Sequence, residues 1–150
     1  MYEYEKLTIL MERIGNKYNQ FEKKKHTSYG GIELTHREIH TIACIGDHPG
    51  LNLTKLASLQ GITKSAASQM INRLRKKELV TKQVSAKSEA EIDIVLTKYG
   101  KVAYDEHKKY HATTSNQFLT LLEQLPEETA TQMENILKEF DKALDSWIKD

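Results

Sequence analysis

Apolar positions recur with helical period along most of this chain and with period two over one short stretch. Residues 3–25 set Leu7, Leu10, Met11, Ile14, Tyr18 and Phe21 on one stripe, as in a helix with a single apolar face. Thr35-His36-Arg37-Glu38 reads as a capping box opening a helix through Ile39, Ile42, Ala43 and Ile45, which stops at Asp47-His48-Pro49-Gly50. Thr54 is placed to cap a short helix, Lys55 to Gln60, before a turn at Gly61 anchored by Ile62. Thr63 is placed to cap a second helix to about Lys77, with Ala67, Met70, Ile71 and Leu74 facing inward. Residues 79–84 and 91–96 have strand character, the latter alternating through Ile92, Ile94 and Leu96, and the polar residues 85–90 between them suit a loop. A long helix is expected from about Lys98 to Leu125. Pro126-Glu127-Glu128 then opens a last helix striped by Met133, Ile136, Leu137, Phe140, Leu144, Trp147 and Ile148.

The expected fold is therefore mainly α with a small β-hairpin wing: a winged helix-turn-helix at about 34–97, flanked by dimerisation helices at 3–25 and 98–149. Terminal helices with such stripes need a partner surface, and a two-fold homodimer supplies one. At 150 residues the chain is one protomer-sized unit. There is no apolar run long enough for a membrane span, and the start lacks the basic and apolar regions of a signal peptide. A single cysteine, Cys44, excludes an internal disulfide and suits a cytoplasmic location. Cys44 lies in an apolar run, where burial keeps it a thiol.

Charge adds direction. The formal net charge of +1 hides a split: residues 53–87 carry eight basic residues and one acid, Glu78, for +7, leaving −6 on the other 115. Such a basic stripe is the footprint of a phosphate-backbone binder. At about 100° per residue, Ser65, Gln69, Asn72 and Lys76 lie opposite the apolar face of the second short helix, with Ser68 and Arg73 flanking. Ser65, Gln69 and Asn72 suit base edges in a major groove. Lys64, Arg73, Lys76 and, in the wing, Lys87 suit phosphates. The partner implied is a double-stranded DNA operator. The rival class is a winged-helix module that docks proteins without strong DNA binding. An enzyme is not expected, because no nucleophile elbow or HExxH motif is present.

Leu53-Thr54-Lys55-Leu56-Ala57, the run from Ile62 to Leu74, Lys77-Glu78-Leu79-Val80 and Leu96-Thr97-Lys98-Tyr99-Gly100 together resemble the MarR family of regulators, over about 34–111 and, with the flanking helices, nearly the whole chain. The resemblance implies a homodimeric winged helix-turn-helix protein that represses or activates transcription and often responds to a small ligand, and the role expected here is a ligand- or metal-responsive repressor. The chain departs from the family at Ser88-Glu89-Ala90-Glu91, where the wing's Asp and arginines usually stand, and at Glu78, where glycine is common. Lys82 and Lys87 are left as the wing's phosphate contacts.

His107 and His111, spaced i,i+4, share one helix face and can bind one metal ion, and His36, His40 and Cys44 recur at the same interval on another helix. In zinc-responsive members of the family, a glutamate of the first helix, a histidine of the second and an E-H-x-x-x-H of the long helix form a metal site. The resemblance places Glu22, His40, His107 and His111 at those positions, with Glu106 adjacent, and implies zinc as an effector. No cofactor is required by this reading. Ser28 stands where a second site of the family has cysteine. The same histidines also suit a pocket for an apolar or acyl ligand, or a structural role.

Overall fold

The computed structural model describes residues 3–24, 26–86, 88–113 and 117–149, without the side chains of residues 26, 111–113, 117 and 149. Two compact units emerge, residues 1–110 and 111–150.

The first unit begins with α1 (Glu5–Lys24), none of whose residues is buried. An antiparallel ribbon follows, β1 (His26–Tyr29) paired with β2 (Ile32–Thr35), Tyr29 opposite Ile32. Sequence periodicity did not predict it. Its turn is Gly30-Gly31, φ +58° and +77°, the pair of left-handed residues that a tight two-residue hairpin demands and that glycine adopts without a steric penalty.

Thr35 then caps α2 (His36–Asp47) in a reciprocal capping box. Its hydroxyl accepts from Glu38 N–H, and the Glu38 carboxylate accepts from Thr35 N–H at 2.9 Å. α3 is Leu53–Leu59, two residues earlier than expected, because the cap is Asn52 rather than Thr54: the Asn52 side chain accepts from Lys55 N–H at 2.9 Å. The Gly61 turn closes with Ile62 N–H on Ala57 C=O, and Thr63 caps α4 (Lys64–Lys76) through Ala66 N–H.

The hairpin is β3 (Val80–Val84) with β4 (Ile92–Leu96), Val80 opposite Leu96 and Val84 opposite Ile92. Ile94 is buried at its base, where its N–H donates to Leu51 C=O. The alternation expected through Ile92 does not hold. Val84 and Ile92 are 58% and 45% exposed, whereas Asp93 is buried. Core cover reaches only the base of this ribbon, so period two stops reporting burial beyond it. The core runs through Leu34, Ile39, Ile42, Leu56, Ile71, Leu74, Leu79, Ile94 and Ala103.

The expected long helix is α5 (Lys98–Thr113) and α6 (Gln117–Leu122), on either side of residues 114–116, which lie outside the described residues. In the second unit α7 (Glu127–Lys149) starts after Pro126, whose C=O accepts from Ala130 N–H. Its stripe is exposed, with Ile136 at 67% and Trp147 at 65%.

Candidate nucleic-acid interface and histidine cluster

Helix α4 is built from one buried face outward. Ala67, Met70, Ile71 and Leu74 are buried, and Lys64, Ser65, Gln69, Asn72, Arg73 and Lys76 are exposed, with Ser68 half-buried. The residues expected to meet bases and phosphates thus share the side turned away from the core. Lys87 lies outside the described residues.

One basic residue of the stripe is turned inward. Lys77 Nζ donates to Glu33 C=O and to Glu38 Oε2, both at 2.9 Å, and the Glu38 side chain is only 6% exposed. Burial pushes the Glu38 carboxyl up, but Thr35 N–H and the Lys77 ammonium outweigh it and hold it below its ordinary value. At the helix exit Glu78 adopts φ +60°, with its N–H on Arg75 C=O, while Leu79 N–H bonds Leu74 C=O. The exit keeps the left-handed geometry that glycine would serve, and a glutamate bears it.

On the flank of α4 facing α1 and α2 lies a cavity of about 340 Å³. Tyr18, Glu22, Arg37, His40, Gln69 and Arg73 line it, among others. Arg37 Nε donates to Glu22 Oε2 at 2.9 Å, and His36 Nδ1 stands 3.7 Å from Glu22 Oε1. His36 and His40 rings are 4.1 Å apart, and His40 and His107 rings 5.1 Å. Tyr29 Oη lies 3.2 Å from His107 Nδ1. Burial raises the Tyr29 phenol above its ordinary value.

The structure therefore brings His40 and His107 together but engages Glu22 with Arg37, and the side chain of His111 lies outside the described residues. Among the described residues, no group of three or more His, Cys, Asp or Glu side chains is arranged to hold a metal ion. Glu106 turns elsewhere: its Oε2 accepts Gly30 N–H at 2.6 Å. Sequence reasoning missed Tyr29 and Arg37, the partners of His107 and Glu22. The Gly30-Gly31 signal could have found the ribbon that delivers Tyr29. Cys44 is half-buried, and burial, with Asp47 nearby, pushes its thiol up and away from reactivity.

A capped helix pair joined by a tight turn and followed by a two-stranded hairpin defines the winged helix-turn-helix class. Residues 34–89 match the sequence model of the MarR family, which consists of transcriptional regulators. It is similar to the HTH-type transcriptional regulator YhjH of Bacillus subtilis, 27% identical over 108 residues that cover 72% of this chain and 62% of YhjH. The chain thus spans less than two thirds of that relative. Among solved structures, Streptococcus pneumoniae FabT in complex with DNA superposes with a TM-score of 0.65 at 18% identity, covering 97% of this chain and 99% of FabT. The DNA complex of Staphylococcus aureus MepR does so with a TM-score of 0.61 at 23% identity, covering 96% of each. Among the described residues, no helix is long and apolar enough to cross a membrane.

Proposed function

We propose that this chain is a homodimeric repressor that binds a double-stranded DNA operator by inserting α4 into the major groove. The observation that carries this reading is the exposed face of α4, where Ser65, Gln69 and Asn72 stand beside Lys64, Arg73 and Lys76 on a helix whose other face is buried. Hydrogen-bonding side chains read base edges, and the cations around them neutralise phosphates. FabT and MepR, which share this fold, were each solved with DNA. The test is selection of duplexes from a random-sequence library, followed by affinity measured against salt. Binding should fall steeply as salt rises, through counterion release. Absence of any enriched duplex would sink the reading and favour a winged helix that docks proteins.

The dimer rests on the apolar stripes of α1 and α7. Leu7, Ile14 and Tyr18 on α1 are 45%, 55% and 52% exposed, and α7 exposes Ile136 and Trp147. Sedimentation should find a dimer at micromolar concentration, and a stable monomer would remove this part of the proposal.

A second reading concerns the effector. His40 and His107 are proposed as two ligands of a zinc ion, and Zn²⁺ would supply a fixed tie between α2 and α5 when bound. The 5.1 Å separation of their ring centroids supports this. Glu22 Oε2 is engaged by Arg37, so Glu22 would join the set through Oε1 or by leaving Arg37.

A further inference from the structure

We infer that Lys77 is a positioning residue, which sets the angle of α4 for DNA by tying its C-terminal end to the start of α2 and to β2. This rests on the DNA-binding reading above. The buried face of α4 holds the helix against the core, and packing of side-chain ridges into grooves leaves a helix crossing angle a scatter of about 15–20°. Direction comes from hydrogen bonds, and at this end one ammonium supplies two. Lys77 Nζ donates to Glu33 C=O on β2 and to the Glu38 carboxylate, each at 2.9 Å.

The acceptor is itself fixed. The same Glu38 oxygen accepts Thr35 N–H in the capping box, and the Glu38 side chain is buried while Lys77 is 35% exposed. A buried carboxylate stripped of its cation is strongly unfavourable, so the pair holds its geometry firmly. Base readout tolerates helix misplacement of only about half an ångström and some 10–20°. Lys77 therefore governs DNA affinity from inside the protein, although its charge and place in the basic stripe suggest a phosphate contact.

Electrostatics and positioning predict opposite signs for Glu38→Gln. Removing an acid beside a DNA-binding helix, by itself, tightens phosphate binding. Loss of the tie weakens it, and glutamine still serves the capping box. The probe is a duplex recovered from a random-sequence library with the wild-type protein. Affinities of wild type, Lys77→Met, Lys77→Arg and Glu38→Gln are measured across a salt series, with thermal unfolding run on each. Lys77→Met and Glu38→Gln should each weaken binding by roughly threefold to thirtyfold, the range open to residues that modulate a site without touching its ligand. The salt slope should stay that of wild type, and Lys77→Arg should restore most of the affinity. Glu38→Gln serves as the independent variant if Lys77→Met unfolds.

A salt slope reduced by about one in Lys77→Met, with tighter binding by Glu38→Gln, would mark Lys77 as an ordinary phosphate contact and overturn the inference. Unchanged affinity in both variants would overturn it too. If the wild type itself enriches no duplex, the DNA-binding reading fails first and this one with it.

Discussion

Gly100, in the first turn of α5, lies against the backbone of Leu79 so closely that a Cβ on it would stand 1.9 Å from the Leu79 carbonyl oxygen. That oxygen is in use, since it accepts Thr97 N–H at 3.1 Å, and Thr97 Oγ1 donates to Glu78 C=O at 2.6 Å. The Leu-Thr-x-x-Gly segment is thus a clasp joining the α4 exit to the start of α5. Backbone cannot retreat as a side chain can, so Gly100→Ala should destabilise the fold by about 3 kcal/mol or more. Gly15, in α1 with no atom within 4 Å of its would-be Cβ, is the control. Gly15→Ala should stabilise by about 0.5–1 kcal/mol through helix propensity. Urea unfolding of both variants checks the pair.

Glu78 gives a prediction of opposite sign. Its φ of +60° is left-handed, and it sits at a helix C-terminus, where negative charge is unfavourable. Glycine removes both costs and gives back part of the gain in unfolded-chain entropy. Glu78→Gly should raise stability by about 0.5–1 kcal/mol net. A lower unfolding midpoint would show that the Glu78 side chain contributes more than its backbone costs.

How far these features were legible depended on their range. The Thr35–Glu38 box and the Thr63 cap were read correctly because donor and acceptor are three residues apart. The α3 cap was misplaced because Asn52 and Thr54 are both competent caps, and only geometry chooses between them. The β1–β2 ribbon was missed although Gly30-Gly31 announces it, since four-residue strands give too few positions for period two. Lys77 was counted among surface charges because its partner Glu38 lies 39 positions away. The apposition of His40 with His107 is tertiary in the same sense. Helical spacing aligned His107 with His111, but it could not show Arg37 taking Glu22.

Asp47 predicts a pH dependence. Its Oδ1 accepts from Tyr104 Oη at 2.6 Å and Lys108 Nζ at 2.7 Å, joining the end of α2 to α5. The Lys108 bond, then that of Tyr104, holds its pKa below the ordinary value of 3.8. A folded pKa below the unfolded one contributes stability that is present above 3.8 and is lost as pH falls through the folded value. The difference between wild type and Asp47→Asn should be flat near neutrality and shrink in acid. The carboxylate is 40% exposed, so solvent screens the effect to a modest size. A difference that persists unchanged in acid would show that geometry, not charge, joins the two helices here.

Gln69 and Lys76 separate readout from anchoring. Both are exposed on α4, but the Gln69 amide can donate to and accept from a base edge, whereas Lys76 is a cation placed to neutralise phosphate. Gln69→Ala should relax sequence preference by about 1–3 kcal/mol at one position of the selected duplex. Lys76→Ala should weaken all sequences alike and reduce the salt slope by about one. Equal effects of both variants on all sequences would move base reading off this face.

Zinc binding can be tested through a residue that is not a proposed ligand. Glu22 Oε2 is held by Arg37 Nε at 2.9 Å, so the Arg37 cation competes with a metal ion for the Glu22 carboxylate. Arg37→Ala should therefore tighten zinc binding in calorimetry if Glu22 is a ligand, and leave it unchanged if His40 and His107 act without it. His107→Ala should abolish binding in either case while leaving the fold intact. Imidazoles bind metal when neutral, so affinity should fall as the solution is made acidic. A wild-type protein that takes up no zinc, with His107→Ala lowering only the unfolding midpoint, would leave the histidines as packing between α2, α5 and the ribbon. In that case Tyr29 and His107 would be a structural pair, and Tyr29→Phe should cost about as much stability as one buried hydrogen bond, roughly 0.5–1.5 kcal/mol.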